Sequence, residues 1–154
     1  MDGESKPLAF VDVDGVVLVF GTEEVMINNG AQLVQVGRIE QWVANSVAER
    51  LRVLEKHFEC VWATAWFKQA PRDLAPVLGV GEDWPVLDWG DMKLPAILEW
   101  AGTRRFAFID DDISFELRHF EGSVPDTGLL LDVSSSRGLT DDHVSELLAF
   151  AHNE

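Results

Sequence analysis

Ala9-Phe10-Val11-Asp12-Val13-Asp14-Gly15-Val16-Val17 is the stretch that decides the fold. It is an apolar β-run that stops on two carboxylates two positions apart and then meets a glycine. Residues i and i+2 of a strand share a face. At the fraying C-terminal end of a strand, both acids can be aimed into the crevice above a parallel sheet, where open α/β sheets bind ligands. As core material the segment is poor, because unpaired buried carboxylates are costly. Taken alone, it also fits two acids in a solvated turn, so the rest of the chain decides.

Outward from this strand (residues 7–13), the pattern alternates between β and α. Residues 23–28 and 31–36 read as two short β-runs around Asn29-Gly30, a dipeptide that favours a hairpin turn. Residues 38–58 read as one long amphipathic helix, with Ile39, Trp42, Val43, Val47, Leu51, Leu54 and Phe58 recurring every three or four positions. A second buried strand over 59–63 ends at Thr64. A short helix over 72–78 is closed by Gly79. Residues 84–89 form a third strand candidate, placed at an edge by Pro85. A helix over 93–100 leads to a fourth strand, 105–109, which stops on Asp110-Asp111-Asp112. A helix over 113–120 and a fifth strand over 128–133 follow. Thr140 caps a last helix, with Leu139 stapled onto Val144. Alternation of this kind predicts an α/β fold: a Rossmann-like, five-stranded parallel sheet with helices on both faces.

The chain's 154 residues suit one domain, with no internal repeat or linker. The lone cysteine, Cys60, excludes an intramolecular disulfide and a cysteine-based zinc cluster, and reads as a small core residue. No apolar run approaches the length of a membrane span and no signal-like segment opens the chain, so the expectation is a cytoplasmic protein without a membrane partner. The formal charge is −15, and the basic residues are scattered. A nucleic-acid binder needs a basic stripe to displace counterions, so the charge disfavours that partner.

Four polar features fall at comparable places. Asp12 and Asp14 end the first strand, and Thr64 ends the second. Lys93 opens a helix, and Asp110, Asp111 and Asp112 end the fourth strand. The C-terminal ends of parallel strands lie on one edge, so these groups can converge. The chemistry they could share is phosphoryl transfer. A carboxylate is a covalent nucleophile for phosphate, and it approaches a phosphate dianion only with a cation at hand, for which hard oxygen ligands favour Mg²⁺. Asp12 would attack, and Asp14 would serve as acid and then base. Thr64 and Lys93 would hold the remaining oxygens, while Asp110 and Asp111 would complete a metal shell.

Asp12-Val13-Asp14-Gly15-Val16, Val61-Trp62-Ala63-Thr64, Lys93 and Phe108-Ile109-Asp110-Asp111 together resemble, in order, the four motifs of the haloacid dehalogenase-like superfamily. The resemblance covers essentially the whole chain and implies a single domain over residues 1–154. It implies a Mg²⁺-dependent phosphatase working through an aspartyl phosphate, with Asp12 as nucleophile and Asp14 as acid/base. Catalytic roles fall to Asp12, Asp14, Thr64 and Lys93, and metal contacts to Asp12, Asp14, Asp110 and Asp111. No interval has room for a cap domain, so it also implies a cap-less form with a hairpin flap over about residues 20–37. A looser resemblance, through Ala63-Thr64-Ala65-Trp66, Leu74 to Gly79 and Lys93-Leu94-Pro95-Ala96, is to the compact domains of Swiss Army Knife RNA-repair proteins.

Three functions therefore stand at this point. The first is hydrolysis of a phosphomonoester, on a small molecule or an exposed macromolecular phosphate. The second is processing of phosphorylated nucleic-acid ends, with Trp66 stacking a base. The third is phosphate or metal binding without turnover. His57, His119, His143 and His152 show no metal or triad spacing, and Ser134-Ser135-Ser136 reads as a polar loop.

Overall fold

The computed structural model describes residues 6–153. Its centre is a parallel sheet of four strands: β1 (Leu8–Val11), β4 (Glu59–Trp62), β5 (Phe106–Asp110) and β6 (Gly128–Asp132), in the spatial order β4-β1-β5-β6. All residues of β1 and β5 are buried. That is why both read as unbroken apolar runs: strands covered on both faces have no polar side to show. Alternate residues serve different cores. Ala9, Val11, Trp62, Ala107 and Ile109 face one layer, with α2 (Val47–His57) and α6 (Asp141–His152) packed over it. Leu8, Phe10, Val61, Phe106 and Phe108 face the other, against α4 (Leu94–Ala101) and α5 (Ile113–His119).

The third strand candidate, 84–89, does not form, so the sheet has four strands and not the expected five. Val86 touches the sheet through a single bridge to Trp62, and the segment otherwise runs as coil past β4. Pro85 has no N–H for a ladder and contributes only its carbonyl, which accepts from Trp62 N at 2.9 Å.

The insertion after β1 differs more. Glu23–Asn28, expected as a strand, is a helix, α1. The Thr22 hydroxyl accepts from Val25 N at 3.2 Å, and Glu23 and Glu24 lie in the first turn where the helix dipole favours acids. Gly30, expected in a hairpin turn, instead follows the helix end with φ +79°. The hairpin is β2 (Gln32–Val36) with β3 (Ile39–Val43), turning at Gly37-Arg38. Residues 39–43, expected in a long helix, are thus a strand, and α2 starts only at Val47. Further along, the segment 70–74 is a π-helical turn running into α3 (Ala75–Leu78), which Gly79 closes at φ +75°. The Thr140 cap forms as expected, with the His143 ring accepting from Thr140 N in the place usually taken by a carboxylate.

The chain steps from β1 outward to β4, then returns past β1 to β5. The sheet order therefore reverses between β1 and β5, and the crevice outside their carboxyl ends is the natural ligand position. Asp12 and Asp110 sit at those two ends. No helix among the described residues is long and apolar enough to cross a membrane.

Candidate active site

Strand register brings the first acids together. Val11 pairs with Ile109, and Asp12 N donates to Ile109 O at 3.0 Å, so Asp12 and Asp110 leave adjacent strands side by side. Both are nearly enclosed, at 5% and 4% exposure. Ligand oxygens of Asp12, Asp110 and Asp111 all lie within 4.8 Å of one another. Gly15, at φ +83°, is what admits Asp111, because a Cβ there would collide with the Asp111 carboxylate. Asp112 lies outside this group: its side chain is exposed, and its backbone N–H donates to Asp110 Oδ1 at 2.8 Å.

Lys93 arrives from the far side of the crevice, where α4 begins. Its ammonium stands 2.7 Å from Asp110 Oδ2 and 3.2 Å from Asp12 Oδ1, and 5.4 Å above the Trp89 ring. Glu116, a buried residue that sequence reasoning passed over, fixes its backbone. The Glu116 carboxylate accepts from Lys93 N at 3.1 and 3.2 Å and from Leu94 N at 2.9 Å. It thus serves the free N–H groups at the head of α4, where Pro95 offers none.

The electrostatics follow from burial. Desolvation, reinforced by the Asp110 charge, pushes the Asp12 carboxyl up to about 7 against the opposing pull of Lys93 and of its bond from Val13 N. Asp111 is raised to about 6 by desolvation and by Asp110. Desolvation acts to lower the Lys93 pKa, yet the two carboxylates beside it outweigh that effect and hold it above the ordinary lysine value. One ammonium thus faces three crowded acids. The donor set is all carboxylate, hard oxygen suited to a divalent cation such as Mg²⁺, Ca²⁺ or Mn²⁺ and not to a sulfur-seeking metal, and such a cation would offset both the burial and the mutual repulsion that raise Asp12 and Asp111.

Thr64 is fully buried past the end of β4. Its hydroxyl accepts from Trp66 N at 3.1 Å, and its carbonyl accepts from the Trp89 indole at 3.1 Å. Asp14 stands apart from the three-acid group. It is half-buried, and its Oδ1 accepts from the Trp66 indole N–H at 3.1 Å. Beyond it opens a cleft of about 690 Å³, bounded by the inner face of the β2–β3 hairpin and by the segment from Ala65 to Asp73. The structure therefore collects Asp12, Lys93, Asp110 and Asp111 around one point and places Asp14 at the mouth of the neighbouring cleft. Trp66 and Glu116 are additional members.

Set beside known proteins, the chain matches no protein-family model and no curated protein sequence.

Proposed function

We propose that the protein is a Mg²⁺-dependent phosphatase of the haloacid dehalogenase-like type, hydrolysing a phosphomonoester through an aspartyl phosphate on Asp12. The observation that carries this reading is the Asp12, Asp110, Asp111 and Lys93 cluster at the switch point of the sheet, with a second acid, Asp14, facing the adjacent cleft. A cytoplasmic setting and a single domain over residues 1–154 belong to the same proposal.

Both protein bonds to the Asp12 carboxylate among the described residues fall on Oδ1, from Val13 N at 2.7 Å and from Lys93. Oδ2 is left as the attacking atom. It forms a bond to phosphorus while the bond from phosphorus to the leaving oxygen breaks. Asp14 is the acid that passes a proton to that oxygen, so the product leaves as an alcohol. The Thr64 hydroxyl, already accepting from Trp66 N, keeps its own proton to donate to a phosphate oxygen. The Lys93 ammonium offsets charge on another. Asp14, now a carboxylate, takes a proton from the water that attacks the acyl phosphate, which releases phosphate and restores Asp12. Asp12, Asp110 and Asp111 would hold Mg²⁺, which when bound neutralises phosphate charge and lets the nucleophile approach.

A binding-only site has no use for a proton-shuttling acid at the cleft mouth, and that favours turnover over the non-catalytic reading. The test is release of phosphate from an aryl phosphate with and without Mg²⁺, for the native chain and Asp12→Asn. Mg²⁺-dependent release that vanishes in the variant is expected, whereas equal rates in the two proteins would overturn the proposal.

A further inference from the structure

The cleft beside Asp14 has walls that phosphate chemistry does not need. One wall is the hairpin, where Ile39 is 63% exposed despite its apolar side chain and Gln41 lies two positions further along the same face. The other carries Trp66 and Gln69. The Trp66 indole N–H is held by Asp14, which fixes the ring plane and leaves no polar edge to reach solvent. An indole held by Asp14 on one wall and an exposed aliphatic side chain on the other are surfaces on which a flat ring can pack, as pockets that hold a single nucleobase use aromatic and apolar side chains. Gln41 and Gln69 each offer a donor pair and an acceptor, matching the mixed edge of a base.

Charge narrows the choice further. Among the described residues that line the cleft, Arg38 is the one basic side chain, against Asp14 and Asp73. A polynucleotide needs a basic track along its backbone. A mononucleotide needs only a place for one phosphate, which the proposed phosphate site would offer on the far side of Asp14, the acid that also lines this cleft. The volume of about 690 Å³ lies in the usual range for a small-molecule site.

We infer that the leaving group is a nucleoside and that the substrate class is free nucleoside monophosphates, with the base between Trp66 and Ile39. The inference rests on the phosphatase reading for the fate of the phosphate, but its test does not. Binding is measured with the Asp12→Asn chain in Mg²⁺, by calorimetry with adenosine 5′-monophosphate, glycerol 3-phosphate and a 5′-phosphorylated octanucleotide.

Adenosine monophosphate should bind about tenfold or more tighter than glycerol phosphate, and Trp66→Ala should erase most of that preference. Ile39→Ser, at an exposed position that should not disturb folding, should reduce it several-fold. Equal affinities for the two small esters would overturn the inference, as would a preference that survives both substitutions. An octanucleotide bound as tightly as the mononucleotide would replace it with the nucleic-acid-end reading. If the native chain releases no phosphate while the Trp66-dependent preference persists, the phosphatase reading falls and nucleotide recognition stands. Equal turnover of all small esters, with no preference in binding, would have the opposite meaning.

Discussion

The Lys93 ammonium lies 2.7 Å from Asp110 Oδ2, both groups being almost entirely buried. This ion pair joins the head of α4 to the end of β5 across the crevice, and the same ammonium reaches Asp12. Neither acid has another cation beside it among the described residues.

Lys93→Met keeps the length of the side chain and removes the charge. Breaking a buried pair from one side leaves an uncompensated carboxylate, which typically costs about 3–5 kcal/mol. The variant should unfold at markedly lower urea, and phosphate release should be lost. Adding Asp110→Asn to Lys93→Met should recover part of the stability without restoring turnover. A double variant no more stable than the single one would show that the pair is not what the lysine stabilises.

Asp12 sets a pH dependence whose sign is opposite to that of an ordinary salt-bridged acid. Its pKa in the fold is raised from 3.8 to about 7, so the folded protein holds a proton there that the unfolded chain has already released. Below pH 4 the group is protonated in both states and has no effect. Between pH 4 and 7 the folded state binds more protons, so metal-free stability falls as pH rises, and above 7 the loss is complete. Asp111, raised to about 6, acts in the same direction. Asp12→Asn cannot titrate. Its stability relative to the native chain should rise steadily between pH 4 and 8 when both are unfolded in chelator. A flat difference across that range would contradict the assignment.

Much of this site was legible in the sequence because its parts end buried strands. β1, β4, β5 and β6 are apolar on both faces, so their limits and the acids or threonine following them stand out. The hairpin was not legible for a physical reason. Ile39, Trp42 and Val43 are three and four positions apart, which imitates a helical stripe. In the fold, Ile39 and Val43 share one face while Trp42 turns to the other, opposite Leu33. The Gly37-Arg38 turn, with Gly37 at φ +62°, was the signal that separated the two readings. Trp66, read as a residue that could stack a base, gave no sign of its bond to Asp14, and Glu116 left no local trace. Their partners Asp14 and Lys93 are 52 and 23 positions away, and only the assembled sheet brings them into reach.

Glu116 acts on Lys93 through its backbone. Glu116→Ala removes a buried carboxylate that accepts from two N–H groups and leaves both donors unpaired, a cost of about 2–4 kcal/mol. Turnover should fall with it, because the ammonium loses its fixed base. Glu116→Gln keeps an acceptor oxygen, so it should return most of the activity and part of the stability. If Gln and Ala behave alike in both denaturation and phosphate release, the hydrogen bonds to Lys93 and Leu94 are not the reason this acid is buried.

Gly15 offers a test of the three-acid group that leaves every carboxylate in place. Its backbone at φ +83° is strained for any side chain, and a Cβ would meet the Asp111 carboxylate. Gly15→Ala should therefore cost about 1–2 kcal/mol through backbone strain, and it should also push Asp111 away from Asp12 and Asp110. In the native chain, Mg²⁺ at a hundred times its dissociation constant should add about 2.7 kcal/mol to stability, or roughly 5–10 °C in the thermal midpoint. That gain should shrink sharply in Gly15→Ala, and chelator should abolish it in both proteins. Should the variant gain as much from Mg²⁺ as the native chain, Asp111 is not one of the groups that hold the metal.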